Sequence, residues 1–252
     1  MIVIGKNPVY EILVTTPKEL NKIVLLKTLK PEPKLKKIVK LAEENGINVM
    51  MLNRFGFEKY FNRNNKKEGI SQGVIGFIKD FEYTPLKEII DGIKDRGIIN
   101  PVIVLMDEIT DPHNMGAIIR SAVCLGADGI VIPRHNSAEV NHTVFKSSSG
   151  AVNHIQIAKE TNLAHSIEYL KKNGYWIAGT DLKADKTIFD ADLKMPLGLV
   201  IGSEGMGMRD LIRKNCDLLL RIPMAGKLDS LNASVSAGVF LYEIFRQKNT
   251  TV

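Results

Sequence analysis

From residue 101 onward, short apolar runs alternate with stretches of helical period. The runs fall at 102–106, 129–132, 154–157, 176–179, 197–201 and 217–222, the helical stretches at 115–125, 163–172, 208–215 and 231–247. Runs this short and this apolar read as strands buried on both faces, and helices between them make the crossovers parallel. The pattern predicts a mostly parallel α/β sheet with helices on both faces. Before it, Leu86, Ile89, Ile90 and Ile93 mark an amphipathic helix ended by Arg96-Gly97. The first eighty residues read as a smaller α/β unit. It has helices at 7–13, 34–44 and 55–61, strands at 23–26, 49–52 and 72–81, and a polar loop at 62–69. The expected organisation is a small domain over 1–82, a linker and first helix over 83–100, and a larger domain over 101–252.

The closing segment changes character within a few residues. A buried strand ends at Ile222, Pro223 breaks it, and Met224-Ala225-Gly226-Lys227 forms a loop. A helix then begins near Ser230, the expected N-cap, with Leu231, Val235, Val239, Tyr242 and Phe245 at helical spacing. Its first turns are small or hydroxylic (Ala233, Ser234, Ser236, Ala237, Gly238), which lets backbone or ligand approach the free N–H groups. Taken alone, the stretch reads as a tightly packed core helix with an ordinary cap.

Charge adds a second feature. Net charge is +6, and all of the excess lies in residues 1–100, with 18 Lys+Arg against 12 Asp+Glu; residues 101–252 hold 16 of each. Lysines crowd between Lys27 and Lys40. This suits a polyanion-binding surface and equally the solvated face of an amphipathic helix. No apolar run approaches the roughly 20 residues that span a bilayer. The N-terminus lacks the pattern of a secretory signal, and a cytoplasmic protein is expected. Cys124 and Cys216 read as reduced core residues, Trp176 as core, and the five histidines show no metal-ligand spacing, so no metal is expected.

Two further stretches carry candidate chemistry. In DPHNMGAIIRSA (111–122), Asp111-Pro112 makes a turn and Asn114 is placed to cap a helix from Met115. Arg120 lies among apolar neighbours, which on its own reads as a buried structural ion pair. In LGLVIGSEGMGM (197–208), an apolar strand runs into a glycine-rich turn holding one acid, Glu204. Its glycines, Gly202, Gly205 and Gly207, do not make the dinucleotide pattern, and Leu219-Leu220-Arg221 stands where an acid should meet a ribose, which argues against an NAD or FAD site.

Together, DPHNMGAIIRSA, VIGSEGMGM and IPMAGKLDSLNASVSAGVFLYE, in this order, resemble the three signature motifs of the SpoU (TrmH-type) branch of the SPOUT RNA methyltransferases. The likeness extends across residues 101–246, and the first domain resembles the L30e-like RNA-binding domain of the members acting on large-subunit ribosomal RNA. Ser71-Gln72-Gly73 stands where many relatives read His-Gln-Gly. The resemblance implies a deep trefoil knot in the C-terminal sheet, S-adenosylmethionine as methyl donor, and a ribose 2′-hydroxyl, of a guanosine in 23S rRNA, as acceptor. Alternatives are a tRNA ribose methyltransferase and a non-catalytic ribosome-assembly factor. It further implies a homodimer through the knotted region, each active site drawing on its neighbour. Carried onto this chain, the catalytic set is Asn114, Arg120, Glu204, Ser230 and Asn232, and the cofactor set is Gly179, Thr180, Gly202, Ile222, Met224 and Leu231.

Overall fold

The structure, a computed structural model, describes residues 2–64, 72–226 and 230–249. The chain divides into two compact units at Phe81 and Glu82. In the first, β1 (Ile2–Ile4), α1 (Lys6–Thr15), β2 (Leu20–Leu26), α2 (Pro33–Glu44), β3 (Asn48–Leu52), α3 (Arg54–Asn64) and β4 (Val74–Ile78) follow one another. The sheet order is β1-β4-β2-β3, antiparallel except for the β2/β3 pair. Val9, Ile12, Leu13, Ile38 and Ala42 pack from α1 and α2 onto Ile23, Leu25 and Val74. The last strand is shorter than the 72–81 expected, because Gln72 and Gly73 form a left-handed turn ahead of it (φ 49° and 72°). Of the loop expected at 62–69, residues 62–64 close α3, while 65–69, like Ser71, lie outside the described residues.

The second unit holds α4 (Leu86–Asp95), β5 (Val102–Met106), α5 (Pro112–Cys124), β6 (Gly129–Pro133), α6 (His142–Ser147), β7 (Ile157–Glu160) and α7 (Leu163–Lys172). These are followed by β8 (Trp176–Thr180), β9 (Lys186–Thr187), β10 (Leu197–Ile201), α8 (Asp210–Lys214), β11 (Leu218–Arg221) and α9 (Ala233–Asn249). Its seven strands run in the order β7-β6-β5-β10-β8-β11-β9, every pairing parallel. β5, β6 and β10 are buried at all five positions, as strands covered on both faces require. Alternation sends Ile103 and Leu105 to one face, where Ile89, Ile90 and Ile93 of α4 and Ile167 and Leu170 of α7 cover them. Among the described residues no helix is long and apolar enough to cross a membrane.

Several local expectations fail for identifiable reasons. The strand placed at 154–157 begins only at Ile157, because 151–154 close a 3₁₀ turn after the left-handed Gly150. β9 is a two-residue edge strand too short to show in the pattern. α5 starts at Pro112 with Asp111 as its cap, the carboxylate accepting from the His113 N–H at 3.0 Å. Proline at the first helical position favours that start over one at Met115. At α9 the cap is Asn232, whose Oδ1 accepts from the N–H groups of Ser234 (2.9 Å) and Val235 (3.3 Å), and not Ser230. Cys124 and Trp176 are exposed rather than core. Cys216 is half-buried, and burial pushes its thiol up to about 12, which keeps it an unreactive neutral group.

Candidate active site

Three chain segments meet at the carboxyl ends of β5 and β10, where a parallel sheet offers its ligand crevice. The first is the turn after β10. Ser203 and Gly207 pair across it (N–H to O 3.0 Å in both directions), which folds Glu204-Gly205-Met206 into a tight loop. Gly202 makes this possible: a Cβ there would lie 2.4 Å from the carbonyl carbon of Gly207. Gly205 and Gly207 are both left-handed, as such a loop needs.

The loop presents Glu204 to the N-termini of two helices. One carboxylate oxygen, Oε1, accepts from Asn114 Nδ2 at 3.0 Å, from the Ala233 N–H at 3.3 Å, and from Asn232 Nδ2. Asn232 Nδ2 also donates to Asn114 Oδ1 at 3.0 Å. A negative charge between the positive ends of α5 and α9 is electrostatically favoured and ties them together. Asn114 is therefore a side chain of the first turn of α5 that faces the loop, and Asn232 both caps α9 and contacts the acid.

The loop is also fixed from behind. Asp107, at the end of β5 and fully buried, accepts from Arg209 through its backbone N–H (2.8 Å), its Nε (2.8 Å) and its Nη2 (2.6 Å). A buried carboxylate with three charge-assisted or backbone donors is satisfied, and it anchors the entry to α8. Sequence reading missed this pair. Its one signal was an acid directly after an apolar strand, with the partner 102 positions away.

Between these elements lies a cavity of about 740 Å³, within the range of small-molecule sites. Thr180, Gly202, Ile222, Met224 and Leu231 line it, together with Glu204, Ser230 and Asn232. Ile201, Leu220 and Phe240 supply apolar wall, and Asp181 and Arg213 form an ion pair at its edge. Burial works to raise the Asp181 carboxyl, but the Arg213 guanidinium and the Lys183 N–H outweigh it and hold the group below its ordinary value. Gly179 does not line the cavity. A Cβ on it would meet Met208 Cε at 2.6 Å and Cys216 Sγ at 2.7 Å, so it serves the packing underneath.

Arg120 is also elsewhere. It is exposed, not buried in an ion pair, and its one hydrogen bond among the described residues runs from Nη1 to Ser149 Oγ at 3.1 Å. Six helical positions separate it from Asn114, about 9 Å along the axis and roughly a third of a turn round the helix. It does not join the Asn114–Glu204–Asn232 cluster.

The fold and the crevice define a class: a doubly covered parallel α/β domain with a small-molecule site built from two helix N-termini and a glycine-rich turn. The model of the SpoU rRNA Methylase family matches residues 101–242, and that of RNA 2′-O ribose methyltransferase substrate binding matches residues 2–84. The chain belongs to the SpoU rRNA methylase family, the TrmH-type RNA methyltransferases. YacO of Bacillus subtilis (strain 168), named for the TrmH family of tRNA/rRNA methyltransferases, is 39% identical over 247 residues, covering 98% of this chain and 96% of its own. The fold resembles the SpoU methyltransferase AviRb from Streptomyces viridochromogenes, solved with AdoMet (TM-score 0.66, 24% identity, 98% of this chain and 90% of that one). It also resembles an AdoMet-bound rRNA methyltransferase from Sinorhizobium meliloti (TM-score 0.63, 24% identity, 99% and 88%).

Proposed function

We propose that this chain transfers a methyl group from S-adenosylmethionine to a ribose 2′-hydroxyl of RNA. One observation carries the reading: five of the six residues that the motifs assign to the cofactor line a single cavity, beside three of the five assigned to chemistry. The cavity suits the group, with Ile201, Leu220, Ile222 and Phe240 as an apolar slot and close backbone approach at Gly202. Thr180, Gly202, Ile222, Met224 and Leu231 would hold it. When bound, it supplies a methyl group already activated by a sulfonium.

The protein's task is to present the sugar and help its proton leave. Arginine stays protonated, so Arg120 serves by stabilising charge that develops on the ribose oxygen and by gripping the adjacent phosphate, which relays the proton. Asn114, Glu204 and Asn232 hold the crevice wall in register, and Ser230 offers a hydroxyl to ribose or phosphate. Arg120 is exposed and does not line the cavity, which supports a homodimer in which it serves the neighbouring protomer. The exposed apolar stripe of α9 (Val235, Val239, Tyr242, Phe245) fits the same reading, since such a face calls for a partner. The strand order, with β8 between β10 and β11, is compatible with the deep knot implied by the family.

We read the substrate as 23S rRNA, at a guanosine, and the protein as cytoplasmic. The excess positive charge of the first hundred residues, in a unit read as L30e-like and RNA-binding, supports a large folded RNA. A tRNA substrate is the second reading, favoured by relatives named for both RNAs. The hydrogen-bonded Asn114–Glu204–Asn232 cluster argues against a non-catalytic assembly factor. Incubating the protein and labelled S-adenosylmethionine with unmodified 23S rRNA or tRNA, followed by nucleoside analysis, tests these readings. A labelled 2′-O-methylguanosine from 23S rRNA is expected; label in tRNA alone would transfer the assignment.

A further inference from the structure

The turn that follows α6 is built against α5 residue by residue. Pro112, Gly116 and Arg120 are spaced four apart and so form one stripe of α5. Ser147 sits over the first two: its hydroxyl lies 3.2 Å from the Pro112 carbonyl and 2.8 Å from that of Thr143. The fit at Gly116 is so close that a Cβ would fall 1.9 Å from Ser147 Oγ and 2.9 Å from the Ser148 nitrogen. Ser148 is fully buried and donates to the Phe145 carbonyl at 3.1 Å. Ser149 then adopts a left-handed backbone (φ 52°), followed by the left-handed Gly150 (φ 80°). A non-glycine residue takes that conformation at a cost, and here it brings the Ser149 hydroxyl to Arg120 Nη1 at 3.1 Å. The guanidinium has no other hydrogen-bond partner among the described residues, so this one contact orients it.

We infer that Ser149 is a positioning residue for Arg120, held in a disfavoured backbone state by the Gly116–Ser147 contact so that the guanidinium points toward RNA. The inference rests on the role proposed above for Arg120. It gives the serine turn a purpose that neither capping nor core packing supplies, since Ser149→Gly would relieve the backbone and lose only the hydroxyl.

That difference separates a positioning role from a structural one. Ser149→Gly is expected to keep or raise the thermal midpoint, leave the Kd for S-adenosylmethionine unchanged, and lower kcat about tenfold on unmodified 23S rRNA or tRNA, whichever the wild type methylates. Ser149→Asn, which tolerates a left-handed backbone and offers an acceptor oxygen, is expected to recover most of the rate. With Arg120→Lys already present, Ser149→Gly should change kcat by less than about twofold, because the two act as one unit. A wild-type rate for Ser149→Gly, or an equal loss in both backgrounds, would overturn the inference while leaving methyl transfer intact. A wild-type protein that methylates neither RNA would remove the proposed function and this inference together.

Discussion

Glu204 carries more of the site's geometry than any other single side chain, because one of its oxygens joins the starts of α5 and α9. Glu204→Gln keeps the shape but replaces a charged acceptor facing two positive helix ends with a neutral amide. Its thermal midpoint is expected to drop by a few degrees and its affinity for S-adenosylmethionine to weaken several-fold, read by scanning calorimetry and titration. Gly116→Ala should cost about 1–3 kcal/mol in urea unfolding, because the new methyl overlaps Ser147 and the Ser148 backbone. Arg120→Lys should remove most methyl transfer and leave cofactor binding intact, since Arg120 does not line the cavity. At this scale the sequence singled out Asn114, Glu204 and Asn232, which the structure brings together, but not the hydrogen bonds each of them makes. Around both helix starts it offers several capping side chains in a row, and only the fold decides that Asp111 and Asn232 cap while Asn114 turns to the acid. The left-handed Ser149 carries no glycine signature, so its meeting with Arg120, 29 positions back, was invisible.

Elements show the same division. The five-residue strands β5 and β10 were legible to the residue because unbroken apolar runs leave a buried parallel strand no other face to show. α9 was legible as a helix but not in its orientation. Its apolar residues surround it, and the small Ala233 and Ala237 go inward with Phe240, Leu241 and Ile244, leaving Val235, Val239 and Tyr242 outside. As a test of the proposed homodimer, replacing Val239 and Tyr242 by glutamate is expected to turn a wild-type dimer into monomers in sedimentation with the fold retained. The far end of α9 adds a pH effect. Lys248 donates to the Asn100 carbonyl at 2.6 Å, and burial lowers its ammonium to about 8 against a weaker pull from Asp128. Between about pH 8 and the ordinary lysine value, the unfolded chain therefore binds more protons than the folded one, and stability should rise with pH across that window. Lys248→Met is expected to flatten that rise in a pH series of thermal midpoints.

At the scale of the molecule, the chain forms two units with separate hydrophobic cores. The hydropathy pattern places a boundary at residues 82–83, and the excess positive charge lies in residues 1–100. Residues 82–252 alone should bind S-adenosylmethionine as tightly as the whole chain, with RNA affinity reduced at least tenfold and a shallower salt dependence, measured by filter binding. The crevice at the ends of β5, β8 and β10 is the part most dependent on distant pieces of chain meeting, and its role is most directly tested by product. Unmodified RNA incubated with the protein and methyl-labelled S-adenosylmethionine, then digested to nucleosides and resolved by mass, should yield label on the ribose 2′-oxygen. Label confined to a base, or RNA left unlabelled by protein that binds the donor, would contradict the account.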